Sequence, residues 1–442
     1  MSESATQYEW KTHPDAARIV DDLVASVVDR NPWIAEFRQR QLKQTGTRLV
    51  DWVDRIGVAD SVDLVPHGYE SVVESGESIW RHPLAMLPDI FASDVDILAI
   101  HVDSVVDFLH ANGFDNQIPI IGEPGSDVRR ACVSKNSETE LHIVERHGSR
   151  SWVPSGVTRL DLLERHSEAF QLRQRDFETD TEGFDCALAL ITRAVDEIGI
   201  NRACDAFFAA ERAYWQNRND AGRIQKGRQD RLGLGWGNHD HHTYRSSRWA
   251  FARLIEVFEK LGFECRERFY AGKDAGWGAQ VLEQPDCRIV IFADVDLSHE
   301  ELAGDFAHEP LPPQEQPGTV GLWCALHGEA FLQAGMHHLE CQFDFDAARE
   351  QLAQVGVETM APFTDFEHLR QAFTVGQRWT VSESRLSAAI GSSYITEDEA
   401  DRFRRDGVIG SHLEILERNH GYKGFNKTGI SEIILETNPK TN

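Results

Sequence analysis

Three short segments carry side chains that could together hold a redox-active metal. They are residues 240–245 (Asp-His-His-Thr-Tyr-Arg), the pair His337-His338, and Glu414 within residues 411–418. The sequence of each segment predicts a β-strand or the start of one. Two histidines and one carboxylate are the ligand set of an open non-haem Fe(II) site, which leaves three coordination positions for substrate and dioxygen. The residue types therefore favour a metal-dependent enzyme.

A βαβββ unit recurs along the chain and must position these segments. One copy has strands at 96–102, 117–121, 128–133 and 140–145, with a helix at 103–112. A second has strands at 239–246, 264–269, 277–282 and 287–294, with a helix at 248–261. A third has strands at 338–343, 411–418 and 431–436, a helix at 346–354, and an insertion at about 364–408. Repetition of one unit is a strong organising signal.

The predicted fold class is α+β, with repeated βαβββ units forming a metal-holding half-barrel and with additional helical segments. A chain of 442 residues is too long for one ordinary core. Helical periodicity at 14–58 and 157–215 separates the units. We predict a helical amino-terminal region (1–93), a degenerate βαβββ unit (94–150), a helical connector (151–230) and a metal-binding domain of two units (231–442).

Composition excludes several classes of partner. The formal net charge is −27, so nucleic acid and anionic lipid are disfavoured. No apolar run reaches transmembrane length, and no signal peptide is evident at the start, so we expect a cytoplasmic protein. The seven cysteines show no CxxC spacing and are expected to be reduced thiols. An anionic substrate would need a local arginine.

Residues from about 200 to 438 resemble the 2-oxoadipate dioxygenase/decarboxylase family of the vicinal-oxygen-chelate superfamily. The likeness is carried by Asp240-His241-xxx-Arg245, Ala330-Phe331 ahead of His338, and Glu414-xxx-Arg418 followed by Gly424-Phe425. The resemblance implies an Fe(II)-dependent dioxygenase that acts on a 2-oxo acid or related chelating carboxylate by oxidative decarboxylation and hydroxylation. Its partners would be that small carboxylate and dioxygen. Residues 1–200 match the family only in the βαβββ unit.

The resemblance also assigns roles to individual residues. It implies that His241, His338 and Glu414 bind Fe(II), and that Arg245 holds the substrate carboxylate as the catalytic clamp. Strand alternation agrees, because His241 and Arg245 share one face of their strand. It also separates Glu414 from Glu417, which points to the other face.

The second histidine is less sharply determined by the sequence. On the strand that follows, His338, Glu340 and Gln342 form a polar face, which favours His338 as the ligand. The spacing from Ala330-Phe331 instead favours His337, so this alternative stays open. Gln342 and Phe425 are predicted to contact substrate; Phe425 has a second interpretation as a core aromatic after a turn.

Two other functions fit the same residues. The triad could hold Zn(II), Mn(II) or Ni(II) in an isomerase or hydrolase of the superfamily, which oxygen consumption would distinguish. The chain could instead be a non-catalytic binding or scaffold protein, for which added metal would produce no thermal shift.

Overall fold

The computed structural model describes residues 9–74, 76–114, 117–273, 275–426 and 438–440. The α-helices in these ranges are α1 (Pro14–Arg30), α2 (Pro32–Thr45), α3 (Val105–Ala111), α4 (Leu160–Gln171), α5 (Asp180–Ile198), α6 (Ile200–Gln216), α7 (Asp220–Asp230), α8 (Phe251–Lys260), α9 (Thr319–His327), α10 (Phe345–Gln354), α11 (Glu383–Gly391) and α12 (Glu397–Asp406). The strands are β1 (Val53–Val58), β2 (Glu70–Glu74), β3 (Glu77–Arg81), β4 (Asp89–Ala92), β5 (Asp96–His101), β6 (Val128–Lys135), β7 (Thr139–Arg146), β8 (His239–Arg245), β9 (Glu264–Tyr270), β10 (Trp277–Gln284), β11 (Ile289–Asp296), β12 (His338–Gln342), β13 (Thr364–Phe366), β14 (Leu369–Phe373), β15 (Gln377–Trp379) and β16 (Val408–Arg418).

The carboxy-terminal sheet has nine strands and is built from two βαβββ units. Its order is β13-β14-β16-β12-β8-β11-β10-β9, with β15 paired to β16. In each unit the first strand lies parallel to the last, β8 to β11 and β12 to β16, and the two units meet where β8 and β12 pair antiparallel. The predicted α+β class with repeated βαβββ units is confirmed.

Helix α8 shows why the local sequence folds this way. Phe251, Leu254, Ile255 and Phe258 recur at helical spacing and are all buried against the sheet. Gly262, with φ +86, lies just past the end of the helix and lets the chain turn into β9. Each such side chain contributes roughly 1.5–3 kcal/mol by leaving water. One face of the sheet is thereby closed, and the opposite face is left for the site.

The amino-terminal sheet corrects part of the prediction for residues 1–93. Helices end at Thr45, and residues 53–92 form β1 to β4 rather than helix. The sheet order is β2-β3-β4-β1-β5-β7-β6, with β1 parallel to β4 and β5 parallel to β7. The unit therefore recurs four times in the described residues, with the copy at β1–β4 lacking its helix and the copy at β5–β7 reduced to three strands. Short, half-exposed strands such as β2 give too weak an alternation to be seen in sequence.

Two further predicted strands differ from the structure. The run 117–121 forms only an isolated bridge between Ile121 and Arg130. The predicted insertion at 364–408 contains β13 and β14, which are strands of the unit itself, so the added segment begins after β14. The predicted strand at 431–436 lies outside the described residues. Among the residues that are described, no helix is both long and apolar enough to cross a bilayer.

Candidate metal centre

Four side chains converge on the open face of the nine-stranded sheet. They are His241 from β8, His338 and Glu340 from β12, and Glu414 from β16, and their ligand atoms all lie within 4.8 Å of one another. His241 Nε2 is 2.5 Å from Glu340 Oε2, and His338 Nε2 is 3.0 Å from Glu414 Oε2. All four are buried. The three ligands implied by the resemblance are thus brought together, joined by a fourth residue.

A β-bulge in β8 orients His241. Glu340 pairs with His241 while Cys341 pairs with His239, so Asp240 is an extra residue in the ladder. Asp240 can therefore contact its neighbour, and His241 Nδ1 lies 3.1 Å from Asp240 Oδ1. A proton on Nδ1 leaves the Nε2 lone pair facing the cluster, as a metal-binding imidazole requires.

Asp240 is itself held by a buried ion pair with Arg418. The Arg418 Nε and Nη2 groups donate to the two carboxylate oxygens of Asp240 at 2.8 and 2.9 Å. Gln342 Nε2 adds a third hydrogen bond at 3.0 Å. Burial alone would raise the pKa of Asp240, but the charge of Arg418 and the hydrogen bonds from His241 and Arg418 outweigh it and lower that pKa. Asp240 stays ionised and fixes the ring of His241.

Polar side chains also contact the other two predicted ligands. Gln371 Nε2 donates to Glu414 Oε1 at 2.9 Å, and the Thr243 hydroxyl lies 2.7 Å from His338 Nε2. Thr243 and Gln371 come from β8 and β14, the strands that flank β12 and β16 in the sheet. The sequence analysis gave no role to either Thr243 or Gln371.

The charge balance of the cluster calls for a cation. Burial raises the pKa of Glu414 to about 8, and burial together with the Glu414 charge raises the pKa of Glu340. Burial lowers the pKa of His338. Among the described residues, no lysine or arginine lies within 4 Å of either glutamate. Two neutral imidazoles with two carboxylates fit a divalent transition metal, whose charge would balance both acids.

The two other residues that the sequence analysis weighed as ligands, His337 and Glu417, are not part of the cluster. The His337 Nδ1–H donates to the carbonyl oxygen of Gly410 at 3.0 Å, and His337 is not among the four clustered residues. Glu417 accepts from the backbone N–H of Phe345 and caps α10. His338 therefore occupies the position that strand alternation indicated, although its role as a ligand remains a prediction.

A small cavity of about 90 Å³ opens from the cluster toward Arg245. Arg245 and Asp294 face each other across β8 and β11, and each is only 5% exposed. Arg245 Nε and Nη1 and Asp294 Oδ1 lack hydrogen-bond partners, and no carboxylate of the described residues lies within 4 Å of the guanidinium. Burial, partly offset by Arg245, raises the pKa of Asp294 to about 7. This polar end of the cavity is suited to a charged ligand group.

Phe425 and Gln342, both predicted to contact substrate, differ in position. The Phe425 ring lies against His241 and Phe292, with centroids 5.2 and 4.4 Å apart, and it lines the small cavity. Gln342 instead lines a separate cavity of about 1210 Å³ between the two sheets. The bulge at Asp240 places that carboxylate between Gln342 and the cluster. Gln342 supports Asp240 and does not line the small cavity.

Comparisons with known proteins do not assign a function, so the interpretation of the site depends on its geometry. No protein-family model and no curated protein matches this chain. Similar solved structures include 4-hydroxymandelate synthase from Streptomyces coelicolor as a triple mutant (11% identity, 89% of this chain and 98% of that one, TM-score 0.29). Others are methylmalonyl-CoA epimerase from Mycobacterium tuberculosis (14%, 41% and 88%, TM-score 0.24) and catechol 2,3-dioxygenase (9%, 85% and 91%, TM-score 0.20). At these TM-scores the likenesses carry no functional argument.

The fold and the site define the class of this protein: it has paired βαβββ units and a buried cluster of side chains that could bind a metal. The chain pairs βαβββ units so that four central strands, β8, β11, β12 and β16, line one face with polar residues. A buried cluster of two histidines and two glutamates lies there, suited to a divalent metal.

Proposed function

We propose that this protein is a non-haem Fe(II)-dependent dioxygenase that acts on a small 2-oxo acid by oxidative decarboxylation and hydroxylation. The observation that carries the proposal is the convergence of His241, His338 and Glu414 in one buried cluster, with no lysine or arginine of the described residues within 4 Å of its glutamates. The family resemblance of residues 200–438 supplies the reaction class.

Different residues of the chain would bind the metal, bind the substrate and exclude water. His241, His338 and Glu414 would hold Fe(II), which when bound supplies a redox-active centre for dioxygen and the chelating oxo acid. Arg245 would bind the substrate carboxylate through its paired N–H donors. Phe292 and Phe425 would exclude water from the cavity.

The stoichiometry of the reaction gives a direct test of the proposed function. One dioxygen would be consumed for each oxo acid, the C1 carboxyl would leave as CO₂, and both oxygen atoms would enter the hydroxy acid product. We expect iron-dependent oxygen uptake with 2-oxoadipate or a shorter 2-oxo acid, with uptake and CO₂ release in a 1:1 ratio. No oxygen uptake with any 2-oxo acid by the iron-loaded protein would overturn the proposal.

A second candidate is a Zn(II)-, Mn(II)- or Ni(II)-dependent isomerase or hydrolase. It is favoured by Glu340, because a fourth donor makes the site electrically neutral with a divalent ion and leaves fewer open positions. Turnover that proceeds without oxygen and is supported by a redox-inert metal would select this candidate.

Replacing Arg245 should separate substrate binding from metal binding. We expect Arg245→Ala to weaken 2-oxoadipate binding by about 10- to 100-fold, since charge-assisted hydrogen bonds contribute roughly 1.5–3 kcal/mol. Metal content should stay at the wild-type level because Arg245 is not among the clustered ligands. Calorimetric titration under anaerobic conditions measures the first and elemental analysis the second. Unchanged affinity would show that the carboxylate binds elsewhere.

Asp294 should make substrate binding depend on pH. Its pKa is raised to about 7, so it is neutral below that pH and leaves the charge of Arg245 uncompensated. As pH rises through 7, Asp294 ionises and competes for the guanidinium. We expect the dissociation constant for 2-oxoadipate to rise about tenfold between pH 6 and 8, on the scale of one short charge–charge interaction.

The matched control for this prediction is Asp294→Asn, which keeps the shape of the side chain and removes its titration. The pH dependence of binding should become flat in that variant, with affinity near the wild-type value at low pH. The same slope in wild type and Asp294→Asn would assign the pH dependence to another group.

A further inference from the structure

Glu340 is the clustered residue to which the family resemblance gives no role. It lies on β12, the strand between β8 and β16, and is paired in register with His241 on one side and Glu414 on the other. Its side chain shares the face of His338, two residues earlier. Among the described strands of the sheet, no other carboxylate is flanked in this way by two predicted ligands.

The environment of Glu340 differs from that of Glu414. Glu414 receives a hydrogen bond from Gln371, whereas Glu340 faces Glu414 itself, and no amide or hydroxyl group of the described residues donates to it. Glu340 is 0% exposed, and its contact at 2.5 Å is with His241 Nε2. The nearby arginine, Arg418, is already engaged in two hydrogen bonds to Asp240. A fully buried carboxylate without such partners is costly unless a cation or a proton neutralises it.

The distances fit a shared cation. Donors on opposite sides of a metal with bonds of 2.0–2.2 Å lie about 4.2 Å apart. The four ligand atoms lie within 4.8 Å of one another, so small side-chain shifts would bring all of them to one ion. A divalent charge would balance Glu340 and Glu414 together.

We propose that Glu340 is a fourth metal ligand in the substrate-free protein and that it gives up its position when a chelating substrate binds. This inference rests on the proposed function. An octahedral ion held by four protein donors has two open positions, whereas a bidentate oxo acid and dioxygen together need three. Release of Glu340 would supply the third position only when substrate is present, which protects the site from oxygen in the absence of substrate.

Mn(II) allows the open positions to be counted through the water molecules that exchange on the ion. We would load the full-length protein with Mn(II), measure its affinity, and record water-proton relaxivity at saturation. With Glu340 bound, two waters remain; in Glu340→Ala three remain, so the inner-sphere relaxivity should rise about 1.5-fold. Mn(II) affinity should fall by at least about tenfold, the loss expected on disturbing a metal site.

Oxalate, a bidentate chelator, tests the release of Glu340. If Glu340 leaves when oxalate binds, three protein donors and two oxalate oxygens keep one position for water, and about half of the inner-sphere relaxivity persists. If Glu340 stays bound, oxalate fills both open positions and the inner-sphere relaxivity vanishes. That second result would overturn the displacement.

Two further variants test whether the changes in relaxivity and affinity come from Glu340. Glu340→Gln removes the charge while keeping the size of the side chain, and should lower Mn(II) affinity even if Glu340→Ala folds poorly. Glu417→Gln makes the same change on the opposite face of β16 and should leave relaxivity and affinity at wild-type values. Wild-type values in both Glu340 variants would mean that Glu340 shares a proton with Glu414 and binds no metal, which overturns the inference.

The outcomes also separate this inference from the proposed function. If the wild-type protein binds no Mn(II) and no Fe(II), the metal centre itself is wrong and the inference falls with it. If the wild-type protein binds metal and consumes oxygen but Glu340→Ala has unchanged relaxivity, only the role of Glu340 is wrong.

Discussion

His241→Ala is expected to lose its iron. Structural zinc sites with four protein ligands bind their metal with roughly 10–16 kcal/mol, so on that scale removing one ligand should weaken binding by about a hundredfold to a thousandfold. Glu414→Ala should have the same effect, because it removes a charged donor from the same cluster. Oxygen uptake should disappear in both variants. Elemental analysis after anaerobic Fe(II) loading and desalting measures the bound metal.

His242→Ala is the matched control for His241→Ala. His242 is the next residue on β8, but its ring lies on the other face, 5.3 Å from that of Phe208. We expect this variant to be less stable and still to bind iron at the wild-type ratio. Wild-type iron content in His241→Ala and Glu414→Ala would remove the basis for the metal centre.

Arg418→Ala is expected to cause the largest loss of stability. It leaves Asp240 ionised and buried without its bidentate partner, and breaking a buried ion pair in this way costs about 3–5 kcal/mol. Because Asp240 orients His241, metal affinity should fall as well. Denaturant unfolding of the metal-free protein measures the free energy of unfolding, and Mn(II) titration measures the affinity.

A double variant distinguishes the lost charge balance from lost packing. Asp240→Asn combined with Arg418→Met removes both charges and keeps most of the side-chain volume. It should recover much of the stability lost in Arg418→Ala, since no unpaired charge stays buried. A loss below about 1 kcal/mol in Arg418→Ala, the range of exposed pairs, would contradict the importance of this pair.

Strand alternation predicted much of the site from sequence. It placed His241 and Arg245 on one face of β8 and favoured His338 over His337, and the structure has this arrangement. A period of two is a local property, so it needs no knowledge of the tertiary fold. The βαβββ unit at 239–294 could be predicted for the same reason, because the periodicity of its helix and strands is also a local property of the sequence.

The parts that sequence could not supply depend on register and on partners distant in the chain. The bulge at Asp240 lets this residue contact the ring of its neighbour His241, although alternation would place the two side chains on opposite faces. Gln342 binds Asp240 and lines the large cavity, a position that alternation alone did not indicate. Glu340 was on the predicted polar face but gained significance only from its register with His241 and Glu414. Asp294 and Gln371 belong to strands whose order in the sheet no short pattern reveals.

The amino-terminal sheet shows a different limit. Strands β2 and β3 form an exposed hairpin, so both of their faces tolerate polar residues and hydrophobic alternation is lost. Helix periodicity, in contrast, covered α1 and α2, whose buried residues recur at helical spacing. Pro14 and Pro32 at the first turns of these helices are the start signals expected there.

The most direct test of the metal centre is an anomalous difference map, recorded at the iron absorption edge, from crystals grown anaerobically with Fe(II). The account predicts one strong peak within about 2.0–2.3 Å of imidazole nitrogens of His241 and His338 and of a carboxylate oxygen of Glu414. A map with no peak among these three side chains, or with iron bound only elsewhere in the protein, would contradict it.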